Sequence, residues 1–150
     1  DTNDYGIARH PAWSPDDQQI AFWASFDVIG RTGFARLDSE YQLVFLNPDD
    51  MSYTIKLRNF YHLDQLYWSP DGAWLAFTGN YGFSYSDSSE LWLYSPGRDE
   101  LISIGTGIFW SLAWSPDGDQ LAALRCKDVL CEQGQEVILF DLVDVMLQDK

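Results

Sequence analysis

Apolar and polar positions along this chain group into short runs with a two-residue rhythm, and no sustained helical period appears. The first four runs are Ala8–Ser14, Gln18–Ala24, Tyr41–Asn47 and Tyr53–Arg58. A second set follows at Gln65–Ser69, Ala73–Thr78, Glu90–Ser95 and Glu100–Ile104, and a third begins with Ser111–Ser115, Asp119–Arg125 and Gln135–Asp141. All are strand-length, rich in aromatic and branched residues, and separated by turn residues, which predicts β-strands throughout. A fourth strand for the third set has one candidate, Val143–Leu147, but the usual turn residues do not precede it.

The three sets are copies of one phrase, centred on Trp13-Ser-Pro15-Asp16-Asp17, Trp68-Ser-Pro70-Asp71-Gly72 and Trp114-Ser-Pro116-Asp117-Gly118. The tryptophans stand 55 and 46 residues apart, near the roughly 40–50-residue period of propeller blades and solenoid repeats. Pro presets φ near −65°, Asp tolerates the next position, and Gly takes the left-handed one after it. This is a type I turn with a glycine bulge, a common hairpin connection. Positive φ is expected at Asp17, Gly72 and Gly118, Asp being among the few residues that tolerate it. Each Trp is expected to pack between neighbouring units.

Four short strands per unit make the blade of a β-propeller. The expected fold is all-β: a single arc over residues 1–150 of three four-stranded antiparallel blades, at about 7–60, 61–106 and 107–150. Closed propellers need about four to eight blades. The arc is therefore expected to be an incomplete propeller or half of a six-bladed ring. Its open flanks would be covered by a second copy or by missing blades of a longer chain.

The phrase Trp-Ser-Pro-Asp-Gly followed by Leu-Ala-Phe resembles the WD40-like PD40 repeat of TolB-type propellers. The aromatic-aliphatic third strand of that family is matched by Leu91-Trp-Leu-Tyr94, Val137-Ile-Leu-Phe140 and, less closely, Leu43-Val-Phe-Leu46. The resemblance implies an extracytoplasmic protein that engages protein partners. Similar repeats also precede the hydrolase domain of prolyl-oligopeptidase-like peptidases, where the propeller gates substrate.

Charge narrows the partners. A formal net charge of −14 argues against nucleic acid and anionic membrane surfaces. No run of about 18 apolar residues is present, so membrane insertion by a helix is not encoded. The chain opens at Asp1 rather than Met, which is expected of a processed product or a piece of something larger. Of the two cysteines, Cys126 and Cys131 flank a short loop and fit either a local disulfide, which suits an extracytoplasmic setting, or two free structural thiols. Their spacing is not that of a redox motif, and two thiols alone complete no zinc site.

Because propeller strands alternate in direction, the loops sort onto two faces. The Trp-Ser-Pro-Asp turns and the third-to-fourth strand connections collect Asp16, Asp17, Asp49, Asp50, Asp71, Asp99, Glu100, Asp117 and Asp119 on one face, expected to be strongly acidic. The opposite face receives the long loops Ser25–Glu40, Asn80–Ser89 and Cys126–Gly134, and the connections Asn59–Leu63 and Thr106–Phe109. There Arg31, Phe34 and Arg36, the alternating Tyr81, Phe83 and Tyr85, and Phe60-Tyr61-His62 form the candidate binding surface, with Arg125 and Lys127 beside it. The competing reading is that Tyr81, Phe83 and Tyr85 extend a strand with one buried face. Catalysis has little to stand on: His10 and His62 are the only histidines, and no Gly-x-Ser-x-Gly elbow occurs. The expectation is a non-enzymatic scaffold binding a protein or peptide, without cofactor or metal. The alternatives are the propeller of a peptidase whose catalytic domain lies elsewhere, or a propeller that binds a small ligand or glycan.

Overall fold

The computed structural model describes residues 7–25, 40–82 and 88–143, and in them the apolar runs become antiparallel strands. The first repeat supplies β1 (Ile7–Trp13), β2 (Ile20–Ser25), β3 (Tyr41–Leu46) and β4 (Tyr53–Tyr61). The second supplies β5 (Tyr67–Trp68), β6 (Leu75–Tyr81), β7 (Ser89–Ser95) and β8 (Glu100–Gly107), and the third β9 (Phe109–Trp114), β10 (Gln120–Cys126) and β11 (Gln135–Asp141). Within each repeat, consecutive strands pair as neighbours, and β9, β10 and β11 form a separate three-stranded sheet. The architecture is a β-propeller arc, incomplete as a ring.

The recurring phrase is explained by its turn. Ser14, Ser69 and Ser115 each donate from Oγ to the Asp two residues on, at 2.6 Å for Asp16 and Asp71. The same hydroxyls accept the backbone N–H of Gln19, Trp74 and Gln120. Each Asp then accepts an N–H from the residue two further along: Gln18, Ala73 and Asp119. Ser and Asp thus close the hairpin that Pro bends, and Asp17, Gly72 and Gly118 take φ of 60°, 72° and 79° as the turn requires.

The core lies between blades. One cluster joins Ala21, Trp23, Leu43, Phe45 and Phe60 of the first blade to Leu66, Leu75, Phe77 and Tyr94 of the second. The next joins Trp74, Ala76, Leu91 and Leu93 to Phe109, Leu112, Leu121 and Ala123 of the third. Two tryptophans pin these seams. Trp68 Nε1 donates to the carbonyl of Ala12 at 3.3 Å, and Trp114 Nε1 donates to that of Tyr67 at 2.9 Å. In both cases the acceptor is the residue just before the preceding blade's Trp. Each buried aromatic side chain removes roughly 150–250 Å² from water, worth several kcal/mol at about 25 cal/mol per Å².

Three expectations need correction. Strand β4 runs past Arg58 to Tyr61, because Phe60 and Tyr61 cross to the second blade and pair with Tyr81 and Asn80 of β6. That crossing occupies the end of β6, so β5 pairs with it only at Tyr67 and Trp68 and is shorter than Gln65–Ser69. The candidate strand Val143–Leu147 does not begin as one. Leu142 and Val143 turn helical, with Asp141 Oδ1 capping the Val143 N–H at 2.9 Å, and Leu142 is buried in the second seam. Residues 144–147 lie outside the described residues.

Two outcomes follow from the turns. Ser69 is fully buried and Trp74 depends on it, so Ser69→Ala should destabilise the chain by about 1–3 kcal/mol in denaturant unfolding. The carboxyls of Asp16, Asp71 and Asp117 are held below their ordinary value of 3.8, chiefly by the hydroxyls of Ser14, Ser69 and Ser115. A depressed folded pKa stabilises the native state above the unfolded value, and that contribution is lost as pH falls through the folded value. The unfolding temperature should therefore drop as pH falls below about 4, and less steeply in Asp71→Asn.

Candidate functional site

Strand direction places the ends of β2, β4, β6 and β10 on the long-loop face, and there the aromatic residues converge. Phe60, near the end of β4, is fully buried and centres the group. Its ring lies 5.6 Å from Trp23, 5.4 Å from Phe77, 5.4 Å from Tyr81 and 5.7 Å from Trp92. Most contacts are edge-to-face, the arrangement aromatic quadrupoles favour. Trp92 is fixed by its indole N–H, which donates to the Gly79 carbonyl at 3.0 Å. Tyr81 caps this group, 6.4 Å from Trp92, and keeps 59% of its surface exposed.

The backbone around Tyr81 is held in an unusual shape. Asn59 and His62 take φ of 67° and 51°, so the chain bends on both sides of the Phe60–Tyr61 crossing. Asn59 is braced twice: Glu40 Oε1 accepts its N–H at 3.0 Å, and its carbonyl accepts the Gly82 N–H at 2.8 Å. His62, exposed, follows the crossing directly, at the Asn80–Tyr81 end of β6. Two buried polar atoms at the same end of β2, Trp23 Nε1 and Ser25 Oγ, have no hydrogen-bond partner among the described residues. Such groups are rare in folded proteins.

Of the candidate residues, Tyr81 and His62 are brought to one end of the first seam. Arg31, Phe34, Arg36, Phe83 and Tyr85 lie outside the described residues. Tyr81 resolves neither way in full: it ends strand β6, yet its ring stands on the buried group rather than within it. Arg125 pairs with Glu136 at 2.8 Å and with both groups partly exposed, so its charge is largely answered locally. Sequence reasoning missed Trp92, whose place behind Tyr81 depends on the β6–β7 register, and Arg9, whose guanidinium lies 5.7 Å from the Tyr41 ring centre. It also missed Trp110, 60% exposed, whose indole N–H rests against the sulphurs of the Cys126–Cys131 disulfide. The opposite face carries exposed Asp16, Asp17, Asp49, Asp50, Asp71, Asp99, Asp117 and Asp119.

Known structures share this fold. The β-propeller domain of the Trilobed protease from Pyrococcus furiosus superposes with a TM-score of 0.66 at 18% identity, covering 93% of this chain and 40% of that one. TolB from Acinetobacter baumannii gives 0.64 at 18% identity, over 92% of this chain and 30% of that one. The acylaminoacyl peptidase of Pyrococcus horikoshii gives 0.58 at 16% identity, over 81% and 18%. The fold is that of a β-propeller. At these identities the likeness is one of fold, and the chain spans less than half the length of each of these structures. No protein-family model and no curated protein matches the chain.

The platform predicts a separation of roles. Phe60→Ala should cost about 3–5 kcal/mol of stability, whereas Tyr81→Ala should cost about 1 kcal/mol or less, measured by denaturant unfolding. Equal losses would make Tyr81 a core residue rather than a contact residue.

Proposed function

We propose that this chain is a non-enzymatic propeller scaffold that binds a protein or peptide on its long-loop face. The observation that carries the reading is Tyr81, an exposed aromatic ring on a rigid, buried aromatic base. Tyr is a favoured contact residue because it offers large, amphipathic area with few rotatable bonds, and a pre-ordered ring loses little entropy on binding. His62 and the neighbouring loops would set orientation. The local disulfide supports an extracytoplasmic setting.

A second reading is favoured by the fold likeness to propeller domains of proteases and peptidases. In it, the same face would meet peptide substrates on their way to a catalytic domain encoded elsewhere in the gene. Both readings use the same surface, and a downstream Gly-x-Ser-x-Gly followed by Asp and His would select the second.

Peptides selected from a displayed random library against the chain should bind Tyr81→Ala at least about tenfold more weakly than wild type by calorimetry, with an unfolding temperature lowered by no more than about 4 °C. His62→Ala should weaken them less. Undiminished binding to Tyr81→Ala would sink the platform reading.

A further inference from the structure

The pairing of β9 with β10 slips by one residue near the long-loop face. Ser111 stands opposite Leu124 and Phe109 opposite Arg125, which leaves Trp110 as the extra residue of a bulge. A bulge turns a side chain out of the strand's alternation, and this one sets the Trp110 indole on the Cys126–Cys131 disulfide. Its N–H donates to Cys126 Sγ at 2.8 Å and lies 3.3 Å from Cys131 Sγ. The indoles of Trp68, Trp92 and Trp114 reach backbone carbonyls instead.

The disulfide adds little to the shape of the loop it spans. Its cysteines are five residues apart, and a cross-link over so short a loop removes the least chain entropy from the unfolded state. The loop is folded around Asp128 instead. That carboxylate accepts the N–H groups of Leu130, Glu132 and Gln133 at 2.9, 3.1 and 2.6 Å, and the Asp128 carbonyl accepts that of Cys131 at 3.2 Å. At the base, the Lys127 N–H donates to the Gly134 carbonyl at 3.0 Å. These bonds hold Cys131 at φ of 56°, a left-handed conformation that a non-glycine residue keeps only under such bracing. The two sulphurs are also unequal. Cys126, ending β10, is 6% exposed, whereas Cys131 is half-buried in the loop between exposed Leu130 and Glu132.

We infer that Cys126–Cys131 is an exchangeable disulfide, attacked at Cys131 by an external thiolate, with the Trp110 indole stabilising Cys126 as it leaves. The incoming sulphur bonds to Cys131 Sγ while the bond between the two cysteine sulphurs breaks, and its electron pair goes to Cys126 Sγ as a thiolate. The Trp110 N–H is already in place to donate to that thiolate. A hydrogen bond to the charged form lowers a thiol's pKa, and a thiolate of lower pKa leaves faster. With a dithiol as reductant, its second sulphur then attacks its first, closing the reductant's own disulfide and releasing Cys131. The protein pair gains two electrons, the dithiol loses two, and the dithiol's two protons end on Cys126 and Cys131. No step breaks a bond to Asp128, so the reduced thiols stay opposed and can be reoxidised. The exchange is independent of the Tyr81 platform, which lies on the first two blades.

Exposure of the folded 150-residue chain to reduced glutathione, quenched with N-ethylmaleimide and mapped by peptide mass spectrometry, tests this. Cleavage after Lys127 puts the two cysteines on separate peptides. Glutathione should be found on Cys131 and the maleimide on Cys126. Dithiothreitol should reduce the pair without denaturant and leave the circular dichroism unchanged, because Asp128 keeps the loop. Trp110→Phe should slow that reduction about three- to tenfold, the loss expected when a leaving thiolate gives up one hydrogen bond. Glutathione on Cys126, reduction only in denaturant, or a Trp110→Phe rate equal to wild type overturns the inference.

Discussion

Every part of this chain hangs from the seam where one blade's tryptophan crosses to the blade before it. A single four-stranded sheet of this size has two apolar faces and cannot bury either alone. The indole solves the problem in one residue: its ring fills the inter-blade cluster while its N–H bonds to the carbonyl beneath, so burial leaves no polar group unpaired. Because the acceptor is always the residue before the previous Trp, the bond also sets the register between blades. Packing and register are thereby fixed by one contact, repeated.

The tight turn makes that contact reproducible. The Ser hydroxyl and Asp carboxylate lock each hairpin directly after the Trp, which holds the indole at one height on every blade. The carboxylates of these turns, with Asp49, Asp50 and Asp99 of the connections between third and fourth strands, give one rim its acid character. The opposite rim is free of that demand. Its connections vary in length, and its aromatic residues belong to the crossing of β4 onto β6, where two left-handed residues bend the chain around Phe60. Strain of that kind persists only where neighbours hold it, and here Glu40 and Gly82 hold Asn59 while four rings hold Phe60.

Equivalent positions of the repeat differ in burial according to what lies beside them. Equivalent side chains differ in exposure only because a blade follows in one case and not in the other, as Leu93 and Leu139 show. The long-loop rim lies at the strand ends, whereas the seams run along the sheets.

The sequence alone determined the strands, the turns and their positive-φ positions, and the assignment of blades to a propeller, because those depend on local chemistry and on a period visible by eye. Its strand limits erred where a tertiary contact intervened. Nothing in Asn59–Leu63 announces that β4 will leave its own sheet, and nothing in Leu142–Val143 announces a helical turn instead of a strand; the first follows from pairing with β6, the second from the Asp119 carbonyl, the Asp141 cap and the burial of Leu142. The candidate site was half legible. Tyr81 and His62 could be placed on the long-loop face by strand direction, but the role of Trp92 and the buried Phe60 needed the register between β6, β7 and β4. Local sequence dictates which residues can turn, extend or bury. Only the stacking of one blade on the next decided which tryptophan is core and which, like Trp13, stands exposed, since identical phrases acquire different fates from what lies beside them.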